Sequence, residues 1–360
     1  MLGKKITMFV VLVVVALALS FVLINNGFVG DISANFVLGQ KEQVNVGLIF
    51  PLSGKYASIG IPEKEGIVAA FADINYLVCG KKVNLLIEDN VGDVKSTVDS
   101  YNFITSQSNI VFTSLTPMAI ALNELSKTDK TILLYLSTAE TMAIENEYAF
   151  KNHLSIDKEA KELANVAEGK LGVVYYSGLQ GQIFFDELQN NAGKINTSFS
   201  FESGINDFRT IILKLKNDGI DTLFFIGYPN DSLNFLKQSK ELGFSPKQMA
   251  FAASSFPEVV NEIESVSPEN SLVIIASSFP NTDFDYKFGY GFAELLIYGM
   301  KKCSAQGFEI DDSECLKETM INASFEGKFG NLTTNEFGIV QTQSKLYTVK
   351  NKKLVPFEAN

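Results

Sequence analysis

The chain has one histidine, His153, three cysteines and no tryptophan in 360 residues. These scarcities exclude several kinds of chemistry. A histidine-based zinc centre or a four-cysteine site cannot be assembled, and a serine–histidine–acid mechanism would rest on His153 alone. Positive charge is also in the minority. The 30 Lys and Arg stand against 41 Asp and Glu, a formal net charge of -11, so polyanions are repelled and nucleic acid is not an expected partner. No metal and no cofactor is expected, and no enzyme activity. Charged residues make up 20% and hydrophobic residues 46% of the chain, a balance that supports a packed core, and the length suits two domains.

Long apolar runs are missing with one exception. Residues 6–24 are apolar apart from Thr7 and Ser20, and they follow Lys4 and Lys5. Nineteen helical residues reach about 28 Å, close to one bilayer core. An uncleaved transmembrane helix is therefore expected, with the remainder of the chain outside the cytoplasm. A cleaved secretory signal is the alternative, because Ala16 and Ala18 match the small-x-small cleavage pattern. Residues 1–43 read as anchor or signal plus tether. Export permits disulfides. Cys303 and Cys315 are close enough in sequence to bridge across a loop of about 12 residues, which leaves Cys79 as a free thiol in a turn before Gly80.

From Val44 onward, short apolar runs alternate with amphipathic stretches, and the alternation restarts near Leu171. Strands are expected at VNVGLIFPL, KVNLLIED, NIVFTS and TILLYLS, then at LGVVYYS, NTSFSFE, DTLFFIGY, MAFAAS and SLVIIASS. Helices fall between them. Pro62, followed by Glu63 and Glu65, suits a first helical turn, and Ile67, Phe71, Ile74 and Val78 recur at helical spacing. Ser137 and Glu140 have capping-box spacing. Gly219 and Gly243 end helices, and the tail KLYTVKNKKLVPF reads as a hairpin turning near Asn351. The β-α-β-α order occurs twice, so the expected class is α/β with two doubly wound parallel-sheet lobes.

In open parallel sheets the ligand crevice lies beyond the carboxyl ends of the strands. That rule selects residues 53–60, 114–118, 137–141, 177–182, 228–231 and 254–256. These loops are rich in hydroxyls, Ser114 and Ser254 among them, and poor in charge, which suits hydrogen bonding to a small polar ligand better than acid–base catalysis. The Gly54-Lys55 pair lacks the spacing of a phosphate loop. His153 reads as a structural histidine.

The segment VGLIFPLSGKYASIGIPEKEGIVAAFADIN resembles the start of the branched-chain amino acid (Leu/Ile/Val) type of periplasmic binding protein, the type I solute-binding proteins of ABC transporters. The resemblance continues through IEDN, YAFK, NDFRTIILKLKNDGIDTLFFIGY, LKQSKELG and GKFGNLTTNEFG, in order, over about 300 residues. It implies a venus-flytrap fold of two lobes joined by three crossovers and closing on a ligand. Lobe 1 would be residues 44–151 and 281–327, and lobe 2 residues 152–280 and 328–360. It implies ligand contacts from Ser53, Tyr56, Thr116, Ser137, Thr138, Thr141 and Tyr228, and a permease as partner. The family acid that holds a ligand ammonium has no counterpart, because residues 252–255 carry no carboxylate. An amino acid ligand would need another acid, such as Asp231 or Glu258; a neutral or anionic ligand or a short peptide is equally admissible. The expected function is capture of a small polar solute for an ABC transporter. The alternative is a surface sensing receptor ectodomain of the same fold.

Overall fold

The structure is a computed structural model that describes residues 42–202, 204–252, 257–268, 271–277 and 283–357. The expected membrane segment at 6–24 and Ser254 lie outside the described residues. Among the described helices, none is long and apolar enough to cross a membrane.

The first sheet is laid down by β1 (Gln43–Phe50), helix α1 (Ala57–Asp73), β2 (Leu77–Val78), β3 (Lys81–Asp89), α2 (Val94–Thr105), β4 (Ile110–Ser114), α3 (Thr116–Asp129), β5 (Ile132–Leu136), α4 (Thr141–Glu145) and β6 (Ala149–Lys151). Its order is β2-β3-β1-β4-β5-β6. The chain then leaves for a second sheet through α5 (Ile156–Ala164), β7 (Leu171–Tyr176), α6 (Leu179–Asn191), β8 (Thr197–Phe201), α7 (Arg209–Asp218), β9 (Thr222–Ile226), α8 (Pro229–Glu241), β10 (Gln248–Ala252), α9 (Pro257–Val266) and β11 (Leu272–Ser277). It crosses back into α10 (Phe284–Ala305), α11 (Ser313–Met320) and the hairpin β12 (Ser324–Gly327) with β13 (Gly330–Thr333). A third crossing brings β14 (Lys345–Lys350) and β15 (Lys353–Pro356) into the second sheet, whose order is β15-β14-β11-β10-β9-β7-β8.

The strand sequences explain the layering. β4, β5 and β9 are buried at every residue, as strands covered on both faces by helices must be. Both sheets are mixed, not wholly parallel: β2 pairs antiparallel to β3, and β14 antiparallel to β11 and β15. β2 and the β14–β15 hairpin are added at the ends of their sheets, where a hairpin can join without a crossover helix. The tail hairpin turns on Asn351 and Lys352, both at positive φ, a two-residue turn that matches strand twist. Much of the phenylalanine surplus is core. Phe225 lies within 5.7 Å, centroid to centroid, of Phe201, Phe208, Phe235 and Phe251.

Three local expectations are corrected. Helix α1 starts at Ala57, so Pro62 lies inside it and not in its first turn; the carbonyl freed by the missing proline N–H belongs to exposed Ser58, where water can take it. The helical stripe ends at Phe71, because Ile74 caps α1 and Val78 belongs to β2. Ser137 and Glu140 form no capping box: α4 begins at Thr141, and the Ser137 hydroxyl instead accepts from the Ala139 N–H at 3.2 Å.

Cys303 and Cys315 are joined in a disulfide that ties the end of α10 to α11, and Cys79 is free and exposed. Removing the bridge by a Cys303→Ser, Cys315→Ser double substitution is expected to cost about 2–3 kcal/mol, from the lost loop constraint on the unfolded chain. Urea unfolding with and without reductant measures it: reductant should lower the wild-type midpoint to that of the variant and leave the variant unmoved.

Candidate functional site

In the first sheet the chain runs from β1 to β3 on one side and then to β4 on the other. In the second it runs from β7 to β8 and then to β9. Each sheet therefore has a switch point, beside β1 and beside β7, where loops part to opposite faces and leave a crevice. The two crevices meet in a cavity of about 80 Å³, several times the ~10–15 Å³ that one water needs. Leu115, Thr116, Ser137 and Thr138 line it from the first sheet; Tyr176, Gln180, Gly227, Tyr228 and Ala252 line it from the second.

The polar groups on this wall are held in place from behind. Thr116 opens α3, and its Oγ1 lies 3.0 Å from the Ser137 Oγ. Leu115 adopts φ +66° to turn from β4 into α3. That conformation is uncommon for a branched residue and gathers at ligand loops, where packing holds it in place. The two lobes touch across the cavity. Gln180 Nε2 donates to Thr138 Oγ1 at 2.6 Å. The Tyr228 ring packs 5.4 Å from Tyr56 and 5.2 Å from Tyr176, and the Lys55 ammonium lies 4.9 Å from the Tyr56 ring centre. Burial pushes the Tyr176 and Tyr228 hydroxyls well above the ordinary phenol range, so both remain neutral groups.

The residues singled out in the sequence divide. Thr116, Ser137, Thr138 and Tyr228 line the cavity, and Tyr56 backs it by packing on Tyr228. Ser53 is exposed beside Asp89, which it helps to hold below the usual carboxylate range. Thr141 is exposed at the start of α4. Ser114 is fully buried behind the wall. Of the two alternative acids, Asp231 turns its carboxylate to the backbone N–H groups of Gly204 and Tyr228, at 3.0 and 3.2 Å, and the side chain of Glu258 lies outside the described residues.

Sequence reasoning missed the charged part of the cavity. Glu63 on α1 and Asp285 in the first turn of α10 both line it and are 1% and 4% exposed. Burial lifts both carboxyls well above their ordinary range, and for Glu63 the nearby Asp285 adds to the rise while Ser114 opposes it. His153 lies between them in the first crossover, its ring 4.8 Å from that of Phe288. Burial, with help from the charge of Lys151, pushes it down to about 3, so it is a neutral imidazole. Ligand atoms of Glu63, His153 and Asp285 all lie within 4.8 Å of one another. Glu63 reads in sequence as an acid in a first helical turn, favourable to the helix dipole. The signal to the contrary was its spacing of four from Ile59 and Ile67, which places it on the buried stripe.

Two α/β lobes with a cleft of mixed apolar and polar lining between their switch points define the periplasmic binding class of fold. Residues 43–287 match the family model described as periplasmic binding protein, and the chain belongs to that family, in its type I form. A Leu/Ile/Val-binding protein homolog 8 from Brucella abortus (strain 2308) is 24% identical over 243 residues, 60% of this chain and 59% of that protein. The match thus spans about three fifths of that relative's length. The fold is similar to that of the leucine binding protein LivK from Thermotoga maritima, with TM-score 0.75, 16% identity and 88% and 98% of the two chains covered. A solute binding protein of an ABC transporter from Rhodopseudomonas palustris BisB5, in complex with 3,4-dihydroxy benzoic acid, is similar at TM-score 0.75 and 16% identity, covering 88% and 97%.

Proposed function

We propose that the chain is the extracytoplasmic solute-binding component of an ABC transporter. It takes up a small polar solute between its lobes, residues 44–151 with 281–327 and 152–280 with 328–360, and presents the closed form to a permease. The observation that carries this reading is the cavity at the joined switch points, with the Gln180–Thr138 hydrogen bond spanning it. Thr116, Ser137 and Thr138 act as hydroxyl partners of the solute, aided by the N-terminus of α3, and Tyr228 covers it from the second lobe. Ligand contacts made to both lobes favour the closed population over the open one.

The leucine-binding and dihydroxybenzoate-binding neighbours show that one scaffold serves chemically distant solutes, so the test is a thermal-shift screen over amino acids, amides, hydroxybenzoates and short peptides. A true ligand at a hundredfold excess over Kd is expected to stabilise by about 2.7 kcal/mol. Tyr228→Ala should remove the shift while leaving the unliganded protein folded. A screen in which no compound class raises the melting temperature would sink the transport reading.

A further inference from the structure

We propose that Glu63, His153 and Asp285, carried by α1, the first crossover and α10, form an acceptor pocket for the protonated primary amine of the transported solute. This deepens, and rests on, the solute-binding reading above.

Three observations carry it. Glu63 Oε2, Asp285 Oδ1 and His153 Nδ1 have no hydrogen-bond partner, although both carboxyl groups are more than nine-tenths buried and all three residues line the cavity. Buried polar atoms are nearly always paired, and unpaired ones at a cavity wall mark a missing partner. All three groups can accept. An ammonium carries three donors and no acceptor, and so supplies one hydrogen bond to each while compensating negative charge that burial alone would make costly. The span also fits. Three acceptors around a tetrahedral nitrogen at 2.7–2.9 Å stand about 4.6 Å apart, which fits ligand atoms that all lie within 4.8 Å of one another. The depressed basicity of His153 agrees, because a protonated imidazole would repel the guest.

The test is isothermal titration and thermal shift on the wild-type protein with matched solutes: ethanolamine, alanine and 4-aminobutyrate against ethylene glycol, lactate and butyrate, with zinc chloride alone as a further arm. Ammonium-bearing members should bind and their matched partners should not. Glu63→Gln and Asp285→Asn, which keep size and shape, should each weaken amine binding by about 10- to 100-fold, with far-UV circular dichroism unchanged. The matched series on wild-type protein decides even if a variant fails to fold. Equal binding of the amine-free solutes, or amine binding insensitive to both substitutions, overturns the pocket and leaves the solute-binding reading standing. Zinc binding that depends on the same three residues also overturns it. Silence across the matched series and the wider screen overturns both.

Discussion

Truncating Lys151 to alanine is expected to cost about 2–4 kcal/mol, about 2 kcal/mol more than methionine at the same position. Lys151 ends β6 and is fully buried. Its ammonium donates to the carbonyls of His153 and Leu154 at 2.9 and 3.2 Å and to the Ser155 hydroxyl at 3.4 Å, with the Glu140 carboxylate 3.7 Å away. Three effects compete. Losing three buried methylenes costs about 2.4 kcal/mol. The two carbonyls lose a donor, at about 1–3 kcal/mol for each left dry. Against these, burial pushes the ammonium down to about 8 from its ordinary 10.5, so removing the charge recovers about 3 kcal/mol. Both variants lose the donor and take the recovery; alanine alone also loses the packing, so methionine should be the more stable of the two by about 2 kcal/mol. The pH dependence has a definite sign. Between about pH 8 and 10.5 the unfolded chain retains a proton that the folded chain has released, so wild-type stability rises with pH in that window relative to Lys151→Met. Denaturant melts of the two proteins at pH 7 and pH 9 measure it, and taking their difference cancels the tyrosines. An unchanged difference between the two pH values would refute the account.

The same crossover shows what the sequence could and could not reveal. Strands such as IVFTS and TLFFI were legible because parallel strands covered on both faces need unbroken apolar runs, and helix ends at Gly219 and Gly243 because only a residue tolerant of positive φ terminates them there. The hydroxyl wall was legible in part. A topological rule points to loops after strands, and Thr116, Ser137, Thr138 and Tyr228 lie in them. The rule names loops, not orientations, so it could not separate these from the exposed Ser53 and Thr141. The acids were illegible for a different reason. Glu63 and Asp285 are far apart in the chain and meet only because α1 packs on α10, a long-range helix contact with no local signature. His153 gives no sign in sequence of the two carboxylates beside it, because they come from that helix pair.

The helix contact itself sets the second large effect. Gly66→Ala and Gly289→Ala should each destabilise by about 2–4 kcal/mol. A Cβ on Gly66 would fall 2.7 Å from the Tyr290 nitrogen and closer still to the Tyr286 carbonyl oxygen. A Cβ on Gly289 would fall 2.9 Å from the Glu63 carbonyl carbon and run into its oxygen. These neighbours are backbone, so no rotamer change relieves them and the helices must separate. Overpacking of this kind typically costs about 1–3 kcal/mol and sometimes more, against only about 0.5–1 kcal/mol gained by replacing glycine in a helix. Gly291→Ala, two residues further along α10, is the internal control. Its Cβ would meet Leu332 Cδ1 at 3.4 Å and Asn152 Nδ2 at 4.0 Å, both side-chain atoms at ordinary contact, and its effect should stay within about 1 kcal/mol. The two costly substitutions should also be less than additive, because helices already parted by one methyl group have room for the other. Since α1 and α10 carry Glu63 and Asp285, parting them also spreads those two carboxyls. Gly66→Ala should therefore reduce the thermal shift given by an amine solute, beyond what its own lower melting temperature explains. Loss of the Cys303–Cys315 bridge, about 27 Å along α10 from Asp285 at 1.5 Å per residue, should leave that shift intact. If Gly66→Ala and the disulfide variant lose ligand response in equal measure, close helix packing is not what positions the acids.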